Sequence, residues 1–277
     1  MTVIHIALDV LREAVARRYM IALFATILAG LLLMTFSLNL EVVEGALAGV
    51  RLFGKQLGAS IVPVDVALRP IFQFLAVFVF YFGLLFGIVA TADIAPKMLA
   101  PGRVELLLSL PVRRVELVLG TYLGVLIIAL LSTSFAVGGV SLVLFWKTSF
   151  VTAAPIAGAG MAVLGFMAIY ALMLLASSLV RSAALSAGSG LMLYLAGLFT
   201  SNREEFLGWF RSGTTRSVLE VVTAPIPRLG TLADVGAQVA SGAPLQDGVL
   251  LPLVGGVLVF AAAAVAAACF VVSGKDY

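Results

Sequence analysis

Six apolar stretches, at about 19–38, 70–92, 116–146, 154–180, 183–200 and 249–272, leave this chain little choice of solvent. Each is close to or above the roughly 20 residues that a helix needs to cross bilayer hydrocarbon. None carries Asp, Glu, Lys, Arg or His in its core. Lipid offers the backbone no hydrogen-bond partner, so a spanning segment must satisfy its own N–H and C=O groups as a helix. The expectation is an all-α integral membrane protein with six transmembrane helices in a single domain, 1–277. Composition agrees: 62% of residues are hydrophobic and 11% charged, against about a quarter charged in soluble domains. The third stretch is longer than a crossing requires and must tilt or project. Arg181 alone separates the fourth from the fifth, which predicts a tight hairpin.

Residues 2–17 precede the first span. Val3, Ile6, Ala7, Val10, Leu11 and Ala14 share one helical face, while His5, Asp9, Arg12, Glu13 and Arg17 share another. This is the i, i+3, i+4, i+7 spacing of an amphipathic helix, expected to lie in the membrane interface as an anchor or an intersubunit contact. With the N-terminus inside, Arg12, Arg17, Arg18, Lys97, Arg103, Arg113, Arg114, Arg181 and Lys275 fall on short cytoplasmic segments. Of the remaining basic residues, Lys147 follows the third stretch and the others are spread over longer outside segments, 39–69 and 201–248. That density predicts cytoplasmic N- and C-termini. Within 201–248, Phe206, Leu207, Trp209 and Phe210 suggest one short interfacial helix. Leu229 to Ala240 suggests another, and Pro225 and Pro227 lie between the two.

Several chemistries are missing. The sole histidine, His5, lies on the leader, so a Ser–His pair within the spans has no base. There is no metal-ligand cluster and no catalytic residue set. No Gly-rich loop ends in Gly-Lys-Ser/Thr, so the chain should not hydrolyse ATP itself. The single Cys269 excludes an intrachain disulfide and reads as a core residue. A net charge of +3 reflects topology rather than a nucleic-acid partner. Intramembrane ionisable groups mark ion and proton pathways, and their absence counts against a stand-alone channel or secondary carrier. If the protein moves a solute, a partner or the solute's own gradient supplies the energy.

The most specific segment is the loop 93–114 with the start of the third span. Pro101-Gly102 makes a turn, Arg103 to Leu110 has helical potential, and Pro111 ends it. Arg113 and Arg114 anchor the next span at the interface. The run Arg103-Val-Glu-Leu-Leu-Leu-Ser-Leu-Pro-Val-Arg-Arg-Val-Glu-Leu-Val-Leu-Gly120 resembles the signature of ABC transporter permeases of the type 2 exporter family. Thr121 stands where that family often has Lys. The layout of leader, six spans and long outside segment before the last span is similar too, as is the ending Lys275-Asp276-Tyr277.

The resemblance implies a bacterial inner-membrane permease subunit that pairs with a second copy or a related permease and binds two cytoplasmic ABC ATPase subunits. ATP and Mg would be held by those ATPases and no cofactor by this chain. Residues 93–114 would form the coupling helix, with Arg103, Glu105, Leu106, Ser109, Pro111, Arg113 and Arg114 at the ATPase contact. The substrate path would lie along the second and fifth spans, where Phe74, Phe78, Tyr81, Phe82, Met192 and Tyr194 suit an amphipathic or lipid-like solute exported from the cell. A different reading has the same module transmit ATPase motion to an envelope protein docked on 201–248.

Small residues at four-residue spacing recur on the spans: Gly120 and Gly124; Ala154, Gly158 and Ala162; Ser182, Ser186 and Gly190. They predict close helix packing within one subunit.

Overall fold

The computed structural model describes residues 3–16, 18–43, 46–52, 55–58, 62–100, 102, 113–201, 223–245 and 248–274. Of residues 18–20, 22, 23 and 37–62 it describes the backbone alone. The fold is an all-α bundle that carries one small antiparallel sheet. Its helices are α1 (Val3–Ala16), α2 (Arg18–Ser37), α3 (Val64–Thr91), α4 (Ile94–Met98), α5 (Arg114–Thr148), α6 (Ala154–Leu179), α7 (Ala183–Ser201), α8 (Leu229–Ala240) and α9 (Leu250–Ser273). Among the described residues, five helical stretches are long and apolar enough to cross a membrane: Val64–Met98, Arg114–Thr148, Ala154–Leu179, Ala183–Ser201 and Leu250–Ser273. In α2 the apolar portion so described is the shorter Phe24–Phe36.

The helix ends follow local chemistry. An exposed pair, Asp65 with Arg69 at 3.6 Å, marks one end of α3. A second pair, Asp93 with Lys97, follows the other end. The uncharged run between Arg69 and Asp93 is about 36 Å long at 1.5 Å per residue, enough for hydrocarbon about 30 Å thick. Helix α5 closes where Ser149 takes a left-handed conformation, φ 54°, and its N–H reaches the Phe145 carbonyl at 2.7 Å. Pro155 sits in the first turn of α6, where its missing N–H costs nothing. Only residues 180–182 separate α6 from α7, and Val180 N–H still bonds Ala176 at 3.0 Å.

The segment 38–63, to which the sequence reading assigns no regular structure, contains strands. It forms β1 (Leu38–Val43), β2 (Ala46–Leu52), β3 (Lys55–Gly58) and β4 (Val62–Pro63). Strand β2 pairs antiparallel with β1, with Leu40 opposite Val50, and with β3 and β4. The signal was present in Leu38-Asn39-Leu40-Glu41-Val42, which alternates apolar and polar with the period of a strand. Helix α3 then starts at Val64, six residues before the stretch that begins at residue 70.

The helices pack through glycines. Helix α6 is central, with Ala168, Ile169, Tyr170, Ala171 and Met173 fully enclosed. A Cβ on Gly158 would lie 2.6 Å from the Gly236 carbonyl of α8, so these two backbones touch. Gly190 of α7 lies under Met173, and Gly87 of α3 lies under the Phe166 ring. Small residues let helices approach closely enough for dispersion to hold them where water gives no hydrophobic drive.

Helix α1 differs from expectation in what it touches. Its apolar face, Ile6, Ala7, Val10 and Ala14, is buried, and it rests on protein rather than on lipid. A Cβ on Gly120 would lie 2.6 Å from Ile6 Cβ, and one on Gly124 would lie 2.8 Å from Val10 Cβ. Gly120, the last residue of the resemblance run, and Gly124 one turn on are thus the seat of the leader helix.

Candidate functional site

Three elements meet at the end of the bundle away from the sheet: α1, α4 and the start of α5. Helix α4 is short, but Ala95 and Met98 are buried under that end, and the Leu99 and Ala100 N–H groups close its last turn on Ala95 and Lys97. Arg113 begins α5 in an extended conformation. Its backbone N–H donates to Glu116 Oε2 at 3.0 Å, which holds a carboxylate in the first turn, where the helix dipole favours it. Arg114 Nη1 donates to the Ser273 carbonyl at 3.0 Å and so ties the start of α5 to the end of α9. Arg113 thus starts the helix, and Arg114 joins two helices. Arg103, Glu105, Leu106, Ser109 and Pro111 lie outside the described residues, as does the interfacial helix expected at 206–210.

The six residues expected along a substrate path do not share one surface. Phe74, Phe78 and Phe82 form a ladder on the outward face of α3, with centroids 6.1 Å and then 4.5 Å apart and interplanar angles of 26° and 28°. Tyr194 of α7 is buried, at 5% exposure, whereas Met192 is 74% exposed. Two residues apart on a helix, they point about 200° from each other. Tyr81 is partly buried near α8, where a Cβ on Gly230 would come 4.0 Å from its hydroxyl.

Helix α8 brings a group that reading the spans missed. It lies beside the first turns of α6, beyond the end of α7, with Leu229 and Leu232 fully buried. Asp234 projects from it near Tyr81, and Tyr81 in turn lies near Tyr194. The Asp234 side chain is exposed, and partial desolvation by its neighbours raises its carboxyl pKa. Inspection of the six spans overlooked Asp234 because it sits in a 12-residue helix between two of them. Its surroundings in 229–240, where Leu229, Leu232, Ala233, Val235 and Gly236 are apolar or small, carried the only hint.

No group of three or more His, Cys, Asp or Glu able to hold a metal occurs among the described residues. No protein-family model matches the chain, and no curated protein does.

Proposed function

We propose that the chain is the membrane-spanning permease subunit of an ATP-driven ABC transporter of the type 2 exporter kind. Helix α2 is its first span and makes six in all. Both termini face the cytoplasm of a bacterial cell, across the inner membrane. The chain pairs with a second permease copy and with two ATPase subunits, which hold ATP and Mg. It moves an amphipathic or hydrophobic solute and performs no chemistry itself.

One observation carries this reading. The described residues that flank the motif segment 103–112, the buried α4 and the hydrogen-bonded start of α5, lie together at one end of the bundle. At that same end the leader helix rests on Gly120 and Gly124. A partner that pushed on 103–112 would move α4, α5 and α1 together. ATP-driven closure of the ATPase pair would then tilt the bundle as a rigid body.

A second reading, in which ATPase motion is passed to an envelope protein, draws support from the sheet 38–63. It adjoins the opposite end of α3, about 42 Å away along a 28-residue helix. There it offers a structured surface on the far side of the membrane.

Co-expression with a candidate ATPase and extraction in mild detergent tests the main reading. The complex should be retained by the wild-type chain and lost with Glu105→Arg combined with Pro111→Ala. No complex with any ATPase would remove the proposal.

A further inference from the structure

A cavity of about 560 Å³ lies between α2, α3 and α5, with α6 as its floor and Ala14 and Ile94 at one end. Its size falls within the roughly 300–1,000 Å³ of small-molecule sites. Phe78, Phe82 and Phe86 of the exposed α3 face form one wall. Ala129, Ser132 and Ala136 of α5 form the other. Helix α2 rests on α5, where Phe24 meets Phe135 edge-on at 5.1 Å and Leu31 fills the space beside Gly139. It reaches the cavity only through Thr26 and Ile27.

The lining contains no ionisable side chain. Four hydroxyl residues line it, Thr26, Thr91, Ser132 and Thr133, and Thr91 is already bonded to the Gly87 carbonyl at 2.7 Å. Ser132 Oγ is buried with no hydrogen-bond partner, although a helical serine ordinarily bonds a carbonyl one turn back. Walls that are apolar apart from these scattered hydroxyls hold water poorly, because a water needs two or more polar partners. Left empty, it would forfeit the dispersion contacts of its lining. A second protein helix, about 10–12 Å across with its side chains, would fit barely one turn into this volume. A flexible hydrocarbon chain can reach the floor.

We propose that this cavity binds one acyl chain, taken sideways from the bilayer between α2 and α3. The Phe78–Phe82–Phe86 face lies along the chain, and the unpartnered Ser132 hydroxyl offers it a polar contact. The inference rests on the membrane embedding of the bundle and holds whether or not an ATPase couples to it.

The chain could belong to a membrane phospholipid or to a free amphiphile, so two photoactivatable probes are used. One is a phospholipid with a diazirine in its acyl chain; the other is a diazirine fatty acid. The purified full-length protein is reconstituted with each, irradiated, and mapped by peptide mass spectrometry. Gly83→Phe fills the cavity without disturbing the core, because a Cβ at Gly83 meets only Val79, at 3.9 Å. Ala136→Phe fills it from the other wall. Val259→Phe, on the outward face of α9, is the control.

Label is expected on the α3 and α5 walls above the level on the exposed face of α9. It should be lost in both cavity variants and kept in the control. Enrichment by the phospholipid probe assigns the chain to a resident membrane lipid, and enrichment by the fatty acid alone assigns it to a free amphiphile. The proposal is overturned if neither probe is enriched, if labelling is unchanged by Gly83→Phe, or if α3 instead crosslinks to a second copy of the chain.

Discussion

Ser201 caps a helix to which it does not belong. Its Oγ accepts the Thr231 backbone N–H at 3.0 Å, while its own hydroxyl donates to the Gly197 carbonyl at 3.0 Å. The residue at the α8 N-cap position, Arg228, supplies no side-chain cap. The first N–H groups of a helix have no partner within it, and buried ones must find one. The end of α7 supplies that partner to the start of α8. Removing it by Ser201→Ala should cost about 0.5–2 kcal/mol, the range for a lost N-cap, while Ser201→Thr should retain most of the stability. Hydrogen exchange of the α8 amides in detergent measures the difference.

The contact between α6 and α8 sets up a comparison of neighbouring glycines. Gly158 faces the Gly236 carbonyl, whereas a Cβ on Gly160 would meet nothing within 4 Å. Gly158→Ala should destabilise by about 1–3 kcal/mol, because backbone cannot move aside as a side chain can. Gly160→Ala should be neutral or stabilising by up to about 1 kcal/mol, the helix propensity gain of Ala over Gly. Thermal unfolding of the two variants in the same detergent decides this.

The seat of α1 can be tested by accessibility. Ala7 is buried against α5, so in a Cys269→Ala background Ala7→Cys should resist maleimide. Gly124→Leu places a side chain where Val10 and the Ala7 carbonyl now lie. It should make that cysteine reactive and cost about 1–3 kcal/mol of stability through overpacking.

Asp234 gives α8 a pH dependence with a definite sign. The Asp234 side chain is exposed, and partial desolvation on α8 raises its carboxyl pKa in the folded protein, so the folded state binds the proton more readily than the unfolded chain, by an amount that solvent screening keeps small. The protonated form therefore favours the fold. The contribution of Asp234 to stability should fall as pH rises through the interval between its unfolded and folded values. Asp234→Asn should remove that slope and be at least as stable as wild type at neutral pH. Unfolding curves of both proteins, from below the carboxylate range to neutrality, measure it as the difference between the two.

Much of the helical layout was legible because long uncharged apolar runs have few other solutions. The bounds of α5, α6, α7 and α9 fall within two residues of the runs at 116–146, 154–180, 183–200 and 249–272. The start of α3 was not legible. Asp65 and Arg69 read as loop charges, yet one helical turn apart they pair and begin the helix. The strands of 38–63 were hidden because apolar content drew more notice than alternation. The face of α1 was legible, but its partner was not. Periodicity shows which side chains seek burial, and only the fold shows that Gly120 and Gly124 receive them. Aromatic content alone could not tell that Met192 and Tyr194 point apart.

The central claim is that residues 103–112 meet a cytoplasmic ATPase at the end of the bundle built by α1, α4 and the start of α5. The most direct measurement is site-directed crosslinking. Glu105→Cys in the Cys269→Ala background is joined to the co-expressed ATPase in inside-out vesicles with a short bifunctional reagent. The account predicts an adduct between the two chains whose yield changes when ATP is added. A Glu105→Cys thiol that forms no adduct, and that reacts instead with an impermeant reagent from the opposite side of the membrane, would contradict it.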